Sequence, residues 1–281
     1  MEGLGSMTSV ALIGASGNIG RAVGATVRMR GWTVVEIGRS TSWSEVDSSG
    51  LDAIVNCAGV GMDSSRSCTG TDLIDANVLL AVVAGQQAVR LKVPLIHFGS
   101  AAQLSDHLVR TSPYVRTKHL ASASLALLAE TDGLTGVELL PHIVYGDPLP
   151  GSVGVVSAMI RSITSGRPFG LRTPGVRRDF VHRDDVAHAA VAAVESGHPT
   201  WAALEIGTGT GHAMSEVAEI IGELAGATQP WRHDPSPGRD WTDDLIADPL
   251  PALRHLGFRA QKQLNEGLAD LLGSALKGTR V

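Results

Sequence analysis

Tyr114 and Lys118 are the residues of this sequence whose types and spacing point most directly to chemistry. They lie four positions apart at the start of a helical pattern, so their side chains share one face within a turn of each other. A neighbouring ammonium favours the phenolate, which would lower the pKa of the phenol from its ordinary value of about 10. Such a phenol can donate a proton to a carbonyl oxygen while a hydride arrives at the carbon. The alternative is an amphipathic helix in which Tyr114 is half buried and Lys118 solvated.

Ser100 follows the apolar run 95–98, at the carboxyl end of an expected parallel strand. Ligands of open α/β sheets bind at this end of the strands. We therefore expect the hydroxyl of Ser100 to hydrogen-bond the substrate oxygen beside Tyr114. By itself, Ser100 would be read as a structural loop serine.

A glycine-rich turn, GASGNIG at 14–20, follows a strand-like segment and opens a helix-like one. In that setting backbone amides approach a pyrophosphate at a helix N-terminus. The spacing is GxxGxxG rather than GxGxxG, so the flanking periodicity supports a dinucleotide site more than the glycines do. The candidate cofactor-binding residues of the turn are Gly14, Ser16, Gly17, Asn18, Ile19 and Gly20.

The end of the second expected strand predicts which cofactor is used. A dinucleotide fold that binds the ribose 2′-hydroxyl has Asp or Glu there, about 20 residues beyond the glycines. Here the strand ends in Arg39 and Ser40, and a guanidinium beside a hydroxyl complements a 2′-phosphate. Glu36 is close, but strand alternation should point it elsewhere. The sequence therefore favours NADP(H) over NAD(H).

The elements that must position these residues alternate along the first two thirds of the chain, which is typical of βαβ units and a mostly parallel sheet. Strands are predicted at 10–13, 33–37, 53–56, 95–98 and 136–140, and helices at 21–30, 72–91 and 113–130. The predicted fold class is α/β, a Rossmann-type doubly wound parallel sheet with a smaller C-terminal substrate lobe.

After Tyr145 the sequence changes to stretches punctuated by Gly and Pro, and we expect loops to dominate. A strand is predicted at 203–206 and a helix at 215–224. Residues 7–145 should form mainly the NADP-binding domain. Residues 146–281 should form mainly the substrate-binding lobe, interleaved with the end of the sheet.

Composition excludes several classes of partner. The net charge of −5 and pI of about 6.0 argue against nucleic acid and anionic membranes. Two cysteines, Cys57 and Cys68, are too few for a disulfide framework and indicate a reducing compartment. His97, His142 and His182 have no metal-ligand partner at useful spacing, so no metal site is expected. The N-terminus lacks a signal-peptide pattern, which predicts a cytoplasmic protein.

Eight segments occur in the order typical of one family. They are GASGNIG (14–20), NCAG (56–59), HFGS (97–100), YVRTK (114–118), PHIVYGDP (141–148), RDFVHRDDVA (178–187), EIGTGTG (205–211) and LGF (256–258). With them the chain resembles the extended short-chain dehydrogenase/reductases, the group of nucleotide-sugar epimerases, dehydratases and reductases. The eight segments cover nearly the whole chain, but they do not distinguish well among the reactions that members of this family catalyse.

The resemblance implies roles for particular residues. Ser100, Tyr114 and Lys118 correspond to the family's catalytic trio, with Lys118 also bonding the nicotinamide ribose, and Asn77 to a helix asparagine that supports the site. Further residues implied beside the cofactor are Cys57, Ala58, Gly59, Pro141, Ile143 and Val144. Implied substrate contacts are Ala101, Ile143, Arg178, Phe180 and Arg239, with Arg178 on a diphosphate. Family members commonly form homodimers through two helices, here 72–91 and 113–130.

Three departures from the family pattern alter the expected substrate contacts. The usual SSxxVYG becomes GSAAQLS at 99–105, and Ile143 replaces an asparagine that often touches substrate. The segment 40–51 leaves little room for a third strand-helix unit. A second diphosphate arginine has no secure counterpart, since Arg232 and Arg239 are equally plausible.

An NADP(H) preference suits a net reductase, which exchanges its cofactor at each turnover. We therefore expect an NADPH-dependent ketoreductase acting on a small molecule, the 4-keto group of a nucleotide deoxysugar. A dehydratase is disfavoured because Ala101 and Ala102 replace the Asp-Glu pair expected after Ser100. The alternatives are a nucleotide-sugar epimerase, a reductase of a non-nucleotide ketone or aldehyde, and a non-catalytic NADP-sensing protein.

Overall fold

The computed structural model of this chain describes residues 8–39, 41, 43, 50–147, 152–197, 200–236 and 242–278, with side chains as far as residue 275. The strands are β1 (Ser9–Ile13), β2 (Thr33–Ile37), β3 (Ala53–Asn56), β4 (Leu95–Phe98), β5 (Gly136–Pro141), β6 (Ile143–Tyr145), β7 (Phe169–Leu171), β8 (Arg177–His182), β9 (Trp201–Ile206), β10 (Gly211–Ala213) and β11 (Trp231–His233). The helices are α1 (Asn18–Met29), α2 (Gly70–Ile74), α3 (Leu80–Leu91), α4 (Asp106–Thr111), α5 (Pro113–Asp132), α6 (Val155–Thr164), α7 (Arg183–Ser196), α8 (Met214–Ala225), α9 (Leu250–Leu256) and α10 (Leu264–Gly278).

Six parallel strands form the central sheet in the order β2-β1-β3-β4-β5-β9. Its inner strands are buried on both faces, which is why they read as continuous apolar runs in the sequence. Residues of α1 and α7 pack with one set of alternate strand positions, and residues of α3 and α5 pack with the other set. This arrangement confirms the predicted Rossmann-type fold.

The strands of the central sheet end at a common edge, because the last residues of neighbouring strands are paired with each other. Ile13 lies opposite both Ile37 and Asn56, and Phe98 lies opposite Leu139. The segments that follow β1, β3, β4 and β5 therefore emerge side by side at the carboxyl edge. This is where an open parallel sheet binds its ligands.

A second core lies beyond the sheet and contradicts the expectation that loops dominate after Tyr145. It is formed by side chains from β6, α6, β8, α8 and α10, around fully buried residues such as Met159 and Leu268. β10, β8 and β6 form a three-stranded sheet, and β11 pairs with β7. The elements are short and separated by Gly and Pro, so periodicity over a longer window misses them. The domain boundary at residue 145 stays a prediction. Two elements that follow it are part of the first domain's architecture: β9 is a strand of the main sheet, and α7 packs against that sheet.

Among the described helices, the helical run Gly70–Leu91 is long and apolar enough, by length and composition, to cross a membrane. About a third of its most apolar window is buried in this fold, where α3 packs beside α5. One such helix is weak support for a membrane span, because core helices of soluble proteins pass the same test.

Candidate active site

The first turns of α5 present Tyr114 and Lys118 at the carboxyl edge of the sheet. The hydroxyl of Ser112 accepts a hydrogen bond from the Val115 amide, and Pro113 occupies the first helical position. Both are strong helix-start signals, because they satisfy or dispense with an amide that has no partner in the first turn. The local sequence thus fixes where α5 begins and which of its turns carries Tyr114.

Lys118 is buried and its Nζ donates to the carbonyl oxygen of Phe98 at 2.8 Å. This bond connects α5 directly to the end of β4. Burial lowers the pKa of Lys118 to about 8, although the charge of Glu138 acts to raise it. Lys118 is therefore a cation at neutral pH, but its pKa lies only slightly above that range.

Ser100 begins the turn at the end of β4 and hydrogen-bonds the phenol of Tyr114. Burial raises the pKa of Tyr114, and the bond with Ser100 only partly opposes it. The predicted lowering of that pKa by Lys118 is wrong for this structure, because desolvation dominates and the ammonium donates to a backbone carbonyl. Tyr114 is thus a protonated donor across the neutral range.

The glycine turn fits the pyrophosphate of a dinucleotide. A Cβ on Gly20 would collide with the carbonyl oxygen of Gly14, and one on Gly14 would lie 2.7 Å from the Ala58 amide nitrogen. Gly14 also has a φ of +81°, which favours glycine. Gly17 caps α1 without any side-chain hydrogen bond, and the first turn has no acidic residue, so its amides remain available to an anion.

Asn18 and Ser16 complete this turn. The Oδ1 atom of Asn18 is buried and has no hydrogen-bond partner among the described residues. The carbonyl oxygen of Ser16 accepts from the Arg21 guanidinium at 2.6 Å. The Asn18 side chain is thus placed at the N-terminus of α1 with unused acceptor capacity.

The tip of β2 carries Arg39, which is exposed. Glu36 points away from it and forms an ion pair with Arg28 of α1 at 2.6 Å, as strand alternation predicts. Ser40 lies outside the described residues. The described part of this tip therefore presents a cation and no carboxylate.

Asn77 lies in a π-helical turn, Asp75–Leu79, between α2 and α3. It is buried, its Oδ1 accepts from the Val60 amide at 2.8 Å, and its Nδ2 donates to the Thr117 hydroxyl at 3.0 Å. A Cβ on Gly59 would lie 2.8 Å from Asn77 Oδ1. Asn77 thus joins α5 to the segment after β3, and π-helical turns are frequent at functional sites.

Cys57 and Ala58 complete that segment. The amide of Ala58 donates to Asn56 Oδ1 at 3.1 Å. Burial raises the pKa of Cys57 strongly, so its thiol stays protonated and is not a nucleophile. The segment lies between the glycine turn and Lys118, where the resemblance places the cofactor.

The residues predicted to contact substrate lie on several elements. Ala101 follows Ser100 and is buried, Ile143 is half-buried in β6, and Phe180 is buried in β8 opposite Ile143. Arg178 is buried, and its Nη1 donates to the carbonyl oxygens of Arg177 and Asp243. Arg239 lies outside the described residues. The binding roles of these residues stay predictions, as do those of Pro141 and Val144 toward the cofactor.

The sequence analysis missed several buried carboxylates, among them Asp179 and Asp185. Asp179 accepts hydrogen bonds from the Thr208 amide and hydroxyl and from the amides of Gly209 and Ala247. Asp185 accepts from the amides of Gln261 and Lys262. An acidic residue inside a strand or on an apolar helix face is the signal that could have identified them.

Neither Asp184 nor Asp185 is the N-cap of α7, although both lie in its first turn. The N-cap is His182, whose ring accepts from the amide of Asp184 at 3.3 Å. Asp184 remains exposed in the first helical turn, while the side chain of Asp185 is buried.

In the described part of the chain, no group of three or more His, Cys, Asp or Glu side chains could hold a metal ion.

Comparison with known proteins identifies the family to which the chain is similar. A model described as the NAD dependent epimerase/dehydratase family matches residues 10–207. UDP-glucose 4-epimerase of Bacillus subtilis (strain 168) is 31% identical over 182 residues, 57% of this chain and 53% of that protein, so the match spans about half the relative's length. The dTDP-6-deoxy-L-talose 4-dehydrogenase (NAD(P)(+)) of Kitasatospora kifunensis is 23% identical over 301 residues, 93% of this chain and 94% of that protein.

Solved structures share the fold across nearly the whole chain. MoeE5 in complex with UDP-glucuronic acid and NAD has a TM-score of 0.82 at 24% identity, covering 96% of this chain and 99% of its own. UDP-glucose 4-epimerase of Thermotoga maritima with UDP-glucose has a TM-score of 0.81 at 20% identity, covering 97% and 100%. At these identities the likeness shows the fold alone.

Proposed function

The chain belongs to the NAD dependent epimerase/dehydratase family, and from that premise we propose that it is an NADPH-dependent ketoreductase acting on the 4-keto group of a nucleotide deoxysugar. The observation that supports this most directly is the grouping of Ser100, Tyr114 and Lys118 beside the glycine turn. The exposed Arg39 at the tip of β2, with Glu36 paired elsewhere, supports NADPH.

The residues of the chain have distinct roles in this proposal. When bound, a nicotinamide cofactor would supply the hydride for reduction of the carbonyl carbon. Tyr114 gives its phenolic proton to the carbonyl oxygen, which becomes a hydroxyl, and Ser100 holds that oxygen by a hydrogen bond. Lys118 remains cationic and stabilises the phenolate that Tyr114 leaves behind.

The cofactor would lie along the carboxyl edge of the sheet. The amides of 14–20 would hold its pyrophosphate, and the backbone at 57–59 would pass beside it. Lys118 would bond the nicotinamide ribose, and Pro141, Ile143 and Val144 would line the nicotinamide pocket. Arg39 would pair with the 2′-phosphate.

The role of Arg39 is tested by titrating the purified protein with NADPH and NADH. We expect NADPH to bind at least about tenfold more tightly, and Arg39→Ala to remove this difference while leaving NADH affinity unchanged, because a charge-assisted pair is lost. Arg30→Ala is the control, since Arg30 pairs with Glu195 beyond the far end of α1. Equal affinities in the parent protein would contradict the NADPH assignment.

The reaction is tested by following NADPH oxidation against dTDP- and UDP-linked 4-keto-6-deoxysugars and simple ketones. The relative from K. kifunensis, named as a dTDP-6-deoxy-L-talose 4-dehydrogenase, supports the first class. Turnover confined to simple ketones would instead support a reductase without a nucleotide handle. Tight NADPH binding with no turnover on any of them would support a cofactor-sensing role.

A 4-epimerase is the second candidate, because the relative with 31% identity is a UDP-glucose 4-epimerase. An epimerase oxidises and reduces the same carbon, so its cofactor is regenerated and no reductant is consumed. It would interconvert UDP-glucose and its 4-epimer without added NADPH. Chromatography of the sugar products, together with the nucleotide released from denatured protein, distinguishes the two reactions.

A further inference from the structure

A carboxylate lies beneath the catalytic residues, within the sheet itself. Glu138 of β5 is fully buried, on the side of the strand that faces α5. Its Oε2 accepts from the Ser122 hydroxyl at 2.6 Å, and its Oε1 accepts from the Gln103 amide at 3.2 Å. A charged residue in a strand buried on both faces is costly unless it has such partners. None of the roles proposed above uses Glu138.

Gln103 connects Glu138 to the catalytic serine. Its Oε1 accepts from the backbone amide of Ser100 at 3.1 Å, so the orientation of the side-chain amide is set and its Nε2 must donate to Glu138. Burial raises the pKa of Glu138, and the hydrogen bonds donated by Ser122 and Gln103 act to lower it, so these contacts favour the ionised carboxylate. The main chain at Ser100 is thus hydrogen-bonded, through one amide, to a buried negative charge.

Gly99 leaves the space that Glu138 occupies. A Cβ on Gly99 would collide with Glu138 Oε1, and would lie 2.6 Å from Leu140 Cδ2 and 3.0 Å from Gln103 Oε1. Gly99 and Gln103 are two of the positions at which GSAAQLS departs from SSxxVYG. These departures are therefore linked in space to the carboxylate of Glu138.

Resting on the proposed reductase function, we propose that Gly99, Gln103 and Glu138 form one positioning unit, here called the Glu138 bridge, which fixes the turn at Ser100 and keeps buried Lys118 cationic. Lys118 donates to the neutral carbonyl oxygen of Phe98, and the next residue, Gly99, has the carboxylate of Glu138 where its Cβ would stand. The charge of Glu138 raises the pKa of Lys118 against the larger effect of burial.

Other titratable groups face the same region. Cys57, which follows β3, and His97 of β4 interact with Lys118, and His119 of α5 interacts with Glu138. Burial lowers the pKa of His97 well below its ordinary value, so it is neutral. Burial also raises the pKa of Cys57, so it is a thiol. Glu138 is therefore the group here that can favour the Lys118 cation at neutral pH.

The sign of the pH effect follows. Replacing Glu138 by Gln keeps both hydrogen bonds, since the Ser122 hydroxyl can accept as well as donate, but removes the charge. The pKa of Lys118, about 8 in the parent protein, then falls, by about one pH unit for a neighbouring charge. The cation is lost at lower pH, and the alkaline limb of activity moves the same way.

The first test needs no substrate. The chain has lysines at positions 92, 118, 262 and 277, so protein labelled with ¹³Cε-lysine gives a spectrum simple enough to titrate by NMR, with Lys118→Met assigning the signal. We expect Lys118 to titrate near pH 8 in the parent protein and in Glu195→Gln, a control on the exposed Arg30–Glu195 pair. In Glu138→Gln it should titrate about one pH unit lower. An unchanged titration in Glu138→Gln would overturn the proposal.

Gln103→Leu tests the bridge to Ser100 and serves if Glu138→Gln does not fold. It should lower kcat by about tenfold to a hundredfold, because the Ser100 turn loses its bond. KM and NADPH affinity should change less than about twofold if its role is positioning. Normal kcat would contradict the bridge. A lowered Lys118 titration in a protein inactive on every ketone would uphold the bridge and reject the proposed reductase.

Discussion

Tyr114 and Tyr145 are the two tyrosines of the chain, and their surroundings differ. The phenol of Tyr114 is half-buried, bonded to Ser100 and placed one helical turn before Lys118. The hydroxyl of Tyr145 is buried against Gly267 and has no hydrogen-bond partner among the described residues. Of the two, only Tyr114 has the surroundings that the proposed proton donor requires.

We expect Tyr114→Phe to lower kcat by about a hundredfold to ten-thousandfold, because the proton donor is removed while the ring and its packing remain. Steady-state kinetics measure this, and fluorescence titration should give the same NADPH affinity as the parent protein. Tyr145→Phe is the matched control and should retain activity. Activity in Tyr114→Phe close to that of the parent would show that another group donates the proton.

β8 and the turn between β9 and β10 are connected through one side chain. Asp179 is fully buried, and both of its oxygens accept hydrogen bonds from the turn at Thr208. The amide of Ala247 donates to it as well. A Cβ on Gly207 would lie 2.6 Å from its Oδ2, so the turn is packed tightly around it. The GTG of the sequence thus serves the fold by packing around a buried carboxylate.

Asp179→Asn should lower the free energy of unfolding by about 2–4 kcal/mol. The NH2 group of the new Asn side chain would replace one of the two carboxylate oxygens. At either position it would face N–H or O–H donors, from which an NH2 group cannot accept a hydrogen bond. Urea denaturation monitored by circular dichroism measures the change. Asp184→Asn, at an exposed carboxylate of α7, should change stability by less than about 0.5 kcal/mol. A similar effect from both substitutions would mean that Asp179 contributes no more than a surface charge.

Across the whole molecule, apolar side chains remain exposed on the helices that cover one face of the sheet. Leu79 is 52% exposed, just before α3, and on α5 Leu120 and Leu127 are 46% and 57% exposed. Exposed apolar residues mark interaction surfaces where they form a contiguous patch. They lie on the two helices through which the family resemblance predicts a homodimer, and that assembly stays a prediction.

Leu127→Glu should convert the predicted dimer to a monomer, because a charge would be buried in an apolar interface. Light scattering coupled to gel filtration measures the mass. Leu253→Glu is the control, since Leu253 is 42% exposed on α9, away from these helices. A monomeric parent protein would reject the predicted interface, and a Leu127→Glu dimer would place it elsewhere.

The sequence by itself determined the strands of the central sheet and which candidate site residues lie at its carboxyl edge. Strands buried on both faces give unbroken apolar runs, and Ser112 and Pro113 are typical of a helix start, here that of α5. These elements therefore follow from the local sequence pattern. Because parallel strands end at a common edge, Ser100 could be assigned to the same site as Tyr114 from sequence position alone. The short elements after residue 145 lacked enough periodicity to be found.

Only the tertiary structure decided the electrostatics of that site. The pKa of Tyr114 is raised rather than lowered because burial outweighs the proximity of Lys118, and burial is a property of the packed molecule. Glu138 and Gln103 are 35 residues apart in the chain, and no local pattern shows that they bond or that Gly99 makes room for them. Desolvation and contacts between distant residues exist only once the chain has folded.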